Sequence, residues 1–429
     1  MQSKIKLNSR MLPVITAVVL LMQLVDPSPV WISLLVSLGG VWLVGYLWAR
    51  ELSRNLHLRR EIRYGWAQVG DRLEERFTLQ NNGWVPALWV EIVDGSNLPG
   101  YTANQVTGVG GNSENQWISS GVCARRGLYT LGPTDLISSD PFGIYLVRHH
   151  DPAMRTLMIM PPVIPLPAIE IAPGGRSGEG RPLPNAPERS VSSGSVREYV
   201  PGDSLRYIHW RTYARQGTPF VRVFDGTPTG DWRIILDMES SVQVGTGWDS
   251  TIENSIILAA SLADRGLRTG RAVGLVAYGT QLVWLKPAEG ENQRWEILRH
   301  LALVEAGEHS LAETLEGLES LMKSQASLIV ITPSLREDWV QSLIKFSWKG
   351  ARPTVLLLDP LSFGGSQSAD MMAHTLTQLG IARHVIPRAA LDIPEARPGQ
   401  EGAWEWRIMG RGRAVPVRKP VDQAWRELS

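Results

Sequence analysis

From Trp232 to Tyr278 the chain reads WRIILDMESSVQVGTGWDSTIENSIILAASLADRGLRTGRAVGLVAY, and this stretch decides the fold of the C-terminal half. Trp232–Met238 and Ala272–Gly279 are short apolar runs of the kind that fill strands buried on both faces. Between them Ser250 and Glu253 form a capping box, while Ile252, Ile256, Ala259 and Ala263 share one helical face and Gly266 is placed to stop the helix. SLIVITPS and TVLLLDP repeat the strand type further on, and helices are predicted over 291–304, 310–323, 335–347 and 369–379. This alternation predicts an α/β domain over 232–395 with a mostly parallel sheet and helices on both faces.

Upstream the composition changes twice. Residues 163–195 are dense in Pro, Gly and Ser and read as a linker or loop. Residues 60–162 alternate β-rich runs such as RLEERFTLQNNG and ALWVEIVDGSNLPG with turn residues, which predicts a small all-β, sandwich-like domain of about six or seven strands. Residues 396–429 read as a C-terminal tail.

The N-terminus is apolar. Val30–Ala49 is an uncharged run of a length that crosses a hydrocarbon core as a helix, and Met11–Val25 is uncharged but shorter. With Asp26-Pro27-Ser28-Pro29 as a turn between them, residues 11–49 predict a transmembrane helical hairpin after a cytoplasmic N-terminus at 1–10. Lys4, Lys6 and Arg10 precede the hairpin and Arg50, Arg54, Arg59, Arg60 and Arg63 follow it, so the positive-inside rule puts both ends and the soluble domains in the cytoplasm of a two-span membrane protein. A signal peptide is the competing pattern, but no small-x-small cleavage site follows.

Whole-chain charge says little: 43 Lys+Arg against 42 Asp+Glu leave a formal charge of +1, no bulk attraction for nucleic acid or an acidic substrate. The single cysteine, Cys123, excludes an intrachain disulfide and a thiolate-rich zinc site.

The densest chemistry lies in Val196–Asp225, VREYVPGDSLRYIHWRTYARQGTPFVRVFD, where arginines alternate with aromatic rings. Arginine forks pair with carboxylates and stack on rings, so this composition builds either an internal polar network or a recognition surface. Its Arg197-Glu198-Tyr199, Gly202-Asp203, Arg206, Ile208-His209-Trp210 and Ala214-Arg215 elements closely resemble the signature of the domain-of-unknown-function 58 family, and Arg125–Tyr145 resembles the segment that precedes it there. The resemblance implies a prokaryotic membrane protein with a von Willebrand factor A-like, Rossmann-type domain over 232–395. It also implies a role beside a MoxR-type AAA+ ATPase in assembling other proteins. Arg197, Tyr199, Asp203, Arg206, His209, Trp210, Arg211 and Arg215 are the partner-binding candidates; the lipid bilayer, the ATPase and a client protein are the expected partners.

In the resembled domain a divalent cation is often held by D-x-S-x-S after the first strand. Here the stretch is Asp237-Met238-Glu239-Ser240-Ser241, and the later Thr332-Pro333-Ser334 has no carboxylate. Asp237, Glu239, Ser241 and Ser310 are therefore a degenerate ligand set for Mg²⁺. No cofactor is required by this reading and no catalytic residue is assigned. Gly174–Gly180 lacks P-loop order, His149-His150-Asp151 has no second ligand cluster, and no serine-elbow, zinc-hydrolase or dinucleotide fingerprint appears. The expectation is a membrane-anchored cytoplasmic protein-interaction module, adaptor or co-chaperone. Its rivals are a metal-dependent hydrolase on Asp237 and Glu239 and a purely structural membrane-complex subunit.

Overall fold

The structure is a computed structural model that describes residues 2–172, 195–199, 208–223, 231–319, 326–391, 405–408, 414–418 and 426–427. The chain divides into two units, one of residues 1–165, 298–303 and 392–429, the other of 166–297 and 304–391.

The first unit opens on strand β1 (Gln2–Leu7), followed by helices α1 (Met11–Val25) and α2 (Pro29–Asn55). Pro29 starts α2 where its missing N–H costs nothing, and Ser28 caps it by accepting from the Val30 N–H at 3.3 Å. Of the two helices, α2 is long and apolar enough to cross a membrane; α1 is apolar but shorter. The helix runs past Ala49 to Asn55, and its last turns bury Gly45, Ala49 and Leu52. Gly45 packs closely there: a Cβ would stand 3.3 Å from Asp140 Oδ2 and 3.4 Å from Ile144 Cδ1.

Ten strands follow between Leu56 and Met160, more than the six or seven expected. They are β2 (Leu56–Ile62), β3 (Trp66–Gln68), β4 (Arg72–Asn81), β5 (Ala87–Asp94), β6 (Gln105–Val109), β7 (Ser113–Val122), β8 (Gly127–Leu131), β9 (Thr134–Ser139), β10 (Tyr145–Asp151) and β11 (Arg155–Met160). The surplus comes from pieces such as β3, three residues long and too short to show an alternation. The strands form sheets in the orders β1-β10-β9-β5-β6 and β3-β11-β8, while β2-β4-β7 belong to a third. Within the first ten residues, read above as a cytoplasmic N-terminus, β1 pairs antiparallel with β10 from Gln2–His150 to Leu7–Tyr145.

A buried ion network ties the larger sheets together. Arg60, counted above among the positive-inside arginines, grips Glu75 through Nε at 3.0 Å and Nη2 at 2.6 Å and reaches Asp94 at 2.8 Å and Thr134 at 3.0 Å. Tyr101 donates its hydroxyl to Glu75 as well. A carboxylate with no solvent exposure is tolerated only because its oxygens are bonded this way.

Early in the second unit Ile169–Ala172, part of the stretch read as linker, is pinned to the sheet: Ala172 N–H donates to Thr354 Oγ1 at 3.0 Å and its carbonyl accepts from Ser327 Oγ at 2.9 Å. Then come β12 (Ser195–Glu198), α3 (Trp210–Gln216) and β13 (Phe220–Val223), with β12 and β13 antiparallel. The α/β part contains β14 (Trp232–Leu236), α4 (Thr251–Arg268), β15 (Val273–Tyr278), β16 (Leu282–Ala288), α5 (Glu291–Leu303), α6 (Leu311–Glu319), β17 (Ser327–Thr332), α7 (Asp338–Trp348), β18 (Arg352–Leu358), α8 (Asp370–Gln378) and β19 (Ala382–Ile386). The sheet order is β16-β15-β14-β17-β18-β19, parallel throughout except for the edge strand β16.

The capping box is present, with Ser250 Oγ accepting from the Glu253 N–H at 3.3 Å. One sheet face meets α6, α7 and α8 through Ile235, Val330, Val355 and Leu357 against Leu315, Trp339, Leu343, Phe346 and Leu376. Each such fully buried aliphatic side chain contributes about 1.5–3 kcal/mol. The α4 helix packs against β14, β15 and β17.

The tail read at 396–429 carries strands β20 (Glu405–Ile408) and β21 (Ala414–Arg418), paired with each other, and β22 (Arg426–Glu427), paired with β2 in the first unit.

Candidate functional site: the sheet rim and the signature segment

The first-in-sequence strand β14 lies between β15 and β17, so the winding of the sheet reverses between β14 and β17. Open α/β sheets bind ligands beyond the carboxyl ends of the strands at such a switch point. Asp237, one residue past β14, is buried there and spans the switch: its Oδ2 accepts from Thr332 Oγ1, at the end of β17, at 2.6 Å. Asp237 Oδ1 also accepts from the Glu239 N–H at 3.1 Å.

Glu239 continues the chain of contacts. One carboxylate oxygen accepts from the Ser241 hydroxyl and the other from Arg336 Nη2, with Glu239 itself only 6% exposed. The arginine arrives from the loop between β17 and α7 and leans on Asp338 at 3.7 Å. The backbone of Glu239 is braced by a second segment, with Gly307 N–H donating to Met238 O at 2.9 Å and Ser240 N–H to Gly307 O at 2.8 Å. Glycine is required at that crossing, because a Cβ on Gly307 would collide with the Gly279 carbonyl and one on Gly279 with the Glu305 carbonyl.

Electrostatics follow from this geometry. Burial pushes the Asp237 carboxyl up to about 6; the Glu239 charge adds to the rise, while the Thr332 and Glu239 hydrogen bonds and Arg336 oppose it. The Arg336 guanidinium is held above its ordinary value by Glu239, with Asp338 and Asp237 adding, against its own partial desolvation.

The sequence-based ligand set is thus only partly assembled. Asp237, Glu239 and Ser241 meet, whereas Ser310 spends its hydroxyl capping α6, accepting from the Glu313 N–H at 3.2 Å. The hydroxyls of Thr332 and Ser241 both point their protons at the carboxylates, and a guanidinium already balances Glu239. A divalent cation does not fit that arrangement. Among the described residues no group of three or more His, Cys, Asp or Glu side chains could hold a metal ion. Arg336 was not among the sequence candidates; it stands 97 residues from Glu239 and in no motif with it.

The signature segment has a different character. Backbone bonds fold it back on itself: Tyr199 N–H donates to Pro219 O at 2.9 Å and His209 N–H to Phe220 O at 2.7 Å. His209 is the N-cap of α3, its Nδ1 accepting from the Thr212 N–H at 3.3 Å, with the Thr212 hydroxyl at 2.6 Å. Gly217 ends the helix in the left-handed conformation at φ 71°. The helix buries none of its own residues. Trp210, 64% exposed, meets Tyr213 edge to face at 6.0 Å, and Arg211 and Arg215 are exposed beside them. Tyr199 is half-buried, Arg197 stands on β12 opposite Val221, and Asp203 and Arg206 lie outside the described residues.

The motifs set aside in the sequence resolve separately. His149 is buried and its imidazole pKa is lowered by desolvation, while its neighbour His150 bonds Asp135 at 2.8 Å, so the two point apart. Burial pushes the Cys123 thiol up to about 12, with the Asp71 charge adding, so it is held as the thiol.

The model of the family described as "Protein of unknown function DUF58" matches residues 195–362, a range that holds both the signature segment and the Asp237 rim. The uncharacterized protein YeaD of Bacillus subtilis is 27% identical over 185 residues, 43% of this chain and 44% of that protein. The uncharacterized protein Rv1480 of Mycobacterium tuberculosis is 24% identical over 173 residues, 39% of this chain and 55% of that protein. The matches thus span about half the length of these DUF58-type relatives. Among solved structures, an aerotolerance-related membrane protein from Bacteroides fragilis aligns with a TM-score of 0.24 at 18% identity, over 30% of this chain and 67% of that one. A likeness of that size carries no conclusion about fold.

Proposed function

We propose that this protein is a membrane-anchored interaction module whose DUF58 segment binds another protein and performs no chemistry of its own. The observation that carries the reading is α3, a short helix with no buried residue that displays Trp210, Tyr213, Arg211 and Arg215 to solvent. Tryptophan, tyrosine and arginine are the residues that dominate interface hot spots, and nothing in the helix's own packing calls for them. The α/β part is read as a von Willebrand factor A-like domain in which the Arg336 guanidinium supplies the positive charge beside Glu239. Its rim then serves as a second contact face.

The partner proposed is a MoxR-type AAA+ ATPase, with an unidentified client protein whose assembly the pair assists. In the membrane, α1 and α2 form a two-span hairpin with both soluble units in the cytoplasm. The orientation is supported by the exposed Lys4, Lys6 and Arg10 before the hairpin and by Arg50 and Arg54 at the end of α2. The rival, a hydrolase on Asp237 and Glu239, requires Arg336 to leave and a metal to enter.

Affinity capture from native membranes tests the reading. The wild type is expected to retain an AAA+ ATPase, with Trp210→Ala and Arg211→Ala variants retaining at least tenfold less. Equal retention by all three removes α3 from the interface, and no ATPase in any of them removes the partner.

A further inference from the structure

Four exposed apolar side chains cluster at one end of the first unit without explanation in its own packing. They are Trp84, Leu88, Trp89 and Phe142, of which Trp84 is 71% exposed and Phe142 53%. Strand register puts them together. Leu88 and Trp89 lie where β5 begins, two residues or fewer before Val90, which faces Ser138, and Trp89 Nε1 bonds Ser139 Oγ at 3.1 Å. Phe142 sits in the turn between Ser139 and Tyr145, held by Asp140 Oδ2 accepting its N–H at 2.9 Å. Trp84 is in the loop from β4 to β5, next to Pro86, whose carbonyl accepts from Trp48 Nε1 at 3.1 Å.

The hairpin leaves the unit at this same end. Asn8 and Ser9 donate their N–H groups to Ile144 O just before α1 starts, and Tyr46 on α2 meets Tyr145 edge to face at 5.8 Å. The depth can be counted along α2. Its uncharged run ends at Ala49, but the helix already touches Asp140 and Ile144 at Gly45. Only Pro29–Val44 stands free of the unit, roughly 24 Å of helix at 1.5 Å per residue. Helix α1, 15 residues long, reaches roughly 22 Å. A hydrocarbon core is about 30 Å thick, so neither free length fills it.

We infer that this end of the β-rich unit is a lipid-contact face, seated in the headgroup layer around the base of the hairpin. The inference rests on the membrane reading above. A span too short for its bilayer draws flanking protein inward, and the residues that meet the lipid here are the aromatic ones that favour that layer. Arg10 and Arg50, both exposed, flank the two helices at this depth, where anionic headgroups lie.

Site-directed spin labelling of the full chain in nanodiscs containing anionic lipid tests the face. Single cysteines replace Phe142, Leu88, Leu34 in the free part of α2, and Met154, which is exposed beyond the opposite end of β10; Cys123 is buried and stays unlabelled. Labels at Phe142→Cys and Leu88→Cys are expected to collide with a water-soluble nickel chelate several-fold less often than the Met154→Cys label. Collision rates at Phe142 and Leu88 equal to those at Met154, with Leu34→Cys shielded, overturn the lipid face and leave the span standing. A Leu34→Cys label as open to nickel as Met154→Cys overturns both.

Discussion

Arg336 donates to the carboxylate of Glu239 across 97 residues of sequence, and with Thr332 on Asp237 it closes the switch point of the sheet from the inside. The rim sets two buried acids against a balancing charge that is part of the chain itself.

Replacing that charge reopens the site. Arg336→Met leaves Glu239 buried and unpaired, and with the guanidinium half-exposed in the wild type the expected loss is about 1–2 kcal/mol. The variant's melting temperature should rise with added Mg²⁺, by mass action on the folded state, while the wild type's stays level. A wild type stabilised by Mg²⁺ contradicts the internal cation.

Asp237 sets a pH dependence of definite sign. Its carboxyl moves from the ordinary 3.8 to about 6 on folding, so the folded state holds the proton more tightly. The group's contribution to stability is full below 3.8 and is lost as pH rises through about 6. Thermal melts of wild type and Asp237→Asn should therefore diverge over that window, the wild type falling relative to the variant as pH increases.

Gly307 and Gly279 allow the 305–307 segment to brace Glu239. Gly307→Ala should cost about 1–3 kcal/mol through overpacking against the Gly279 carbonyl. Urea denaturation measures the loss; a neutral outcome means the crossing opens freely.

In the β-rich unit, Arg60→Met should cost about 3–5 kcal/mol, because it strands the Glu75 carboxylate in the interior. Pairing it with Glu75→Leu should recover most of that loss. Chemical denaturation of both variants decides whether the network, or the arginine alone, holds the sheets.

On α3, Trp210→Ala and Tyr213→Ala should change stability by less than about 0.5 kcal/mol, as exposed positions do. Tryptophan fluorescence melts check this, and a large loss would make α3 a structural element.

The α/β half was readable because its signals are local. Ser250 and Glu253 cap the helix they mark, and the runs at 232–238 and 273–278 form strands where their apolar density put them. Strands β16 and β19 escaped notice since LVWLKPA, at an edge, buries none of its residues fully and ARHVI carries two basic side chains. The rim was half-legible: Asp237, Glu239 and Ser241 lie within one motif, but the partner that redefines them is set by how β17 lies beside β14. The same holds for β1, whose six residues become a strand only against β10.

That last pairing dictates an order of events during synthesis. Gln2–Leu7 leaves the ribosome well before its partner strand, which ends at Asp151, after both apolar helices. At about 5–20 residues per second the orphan strand waits roughly seven to thirty seconds. Both apolar helices are therefore complete while the sheet at their base still has an empty berth, and that sheet closes only once β10 has been made.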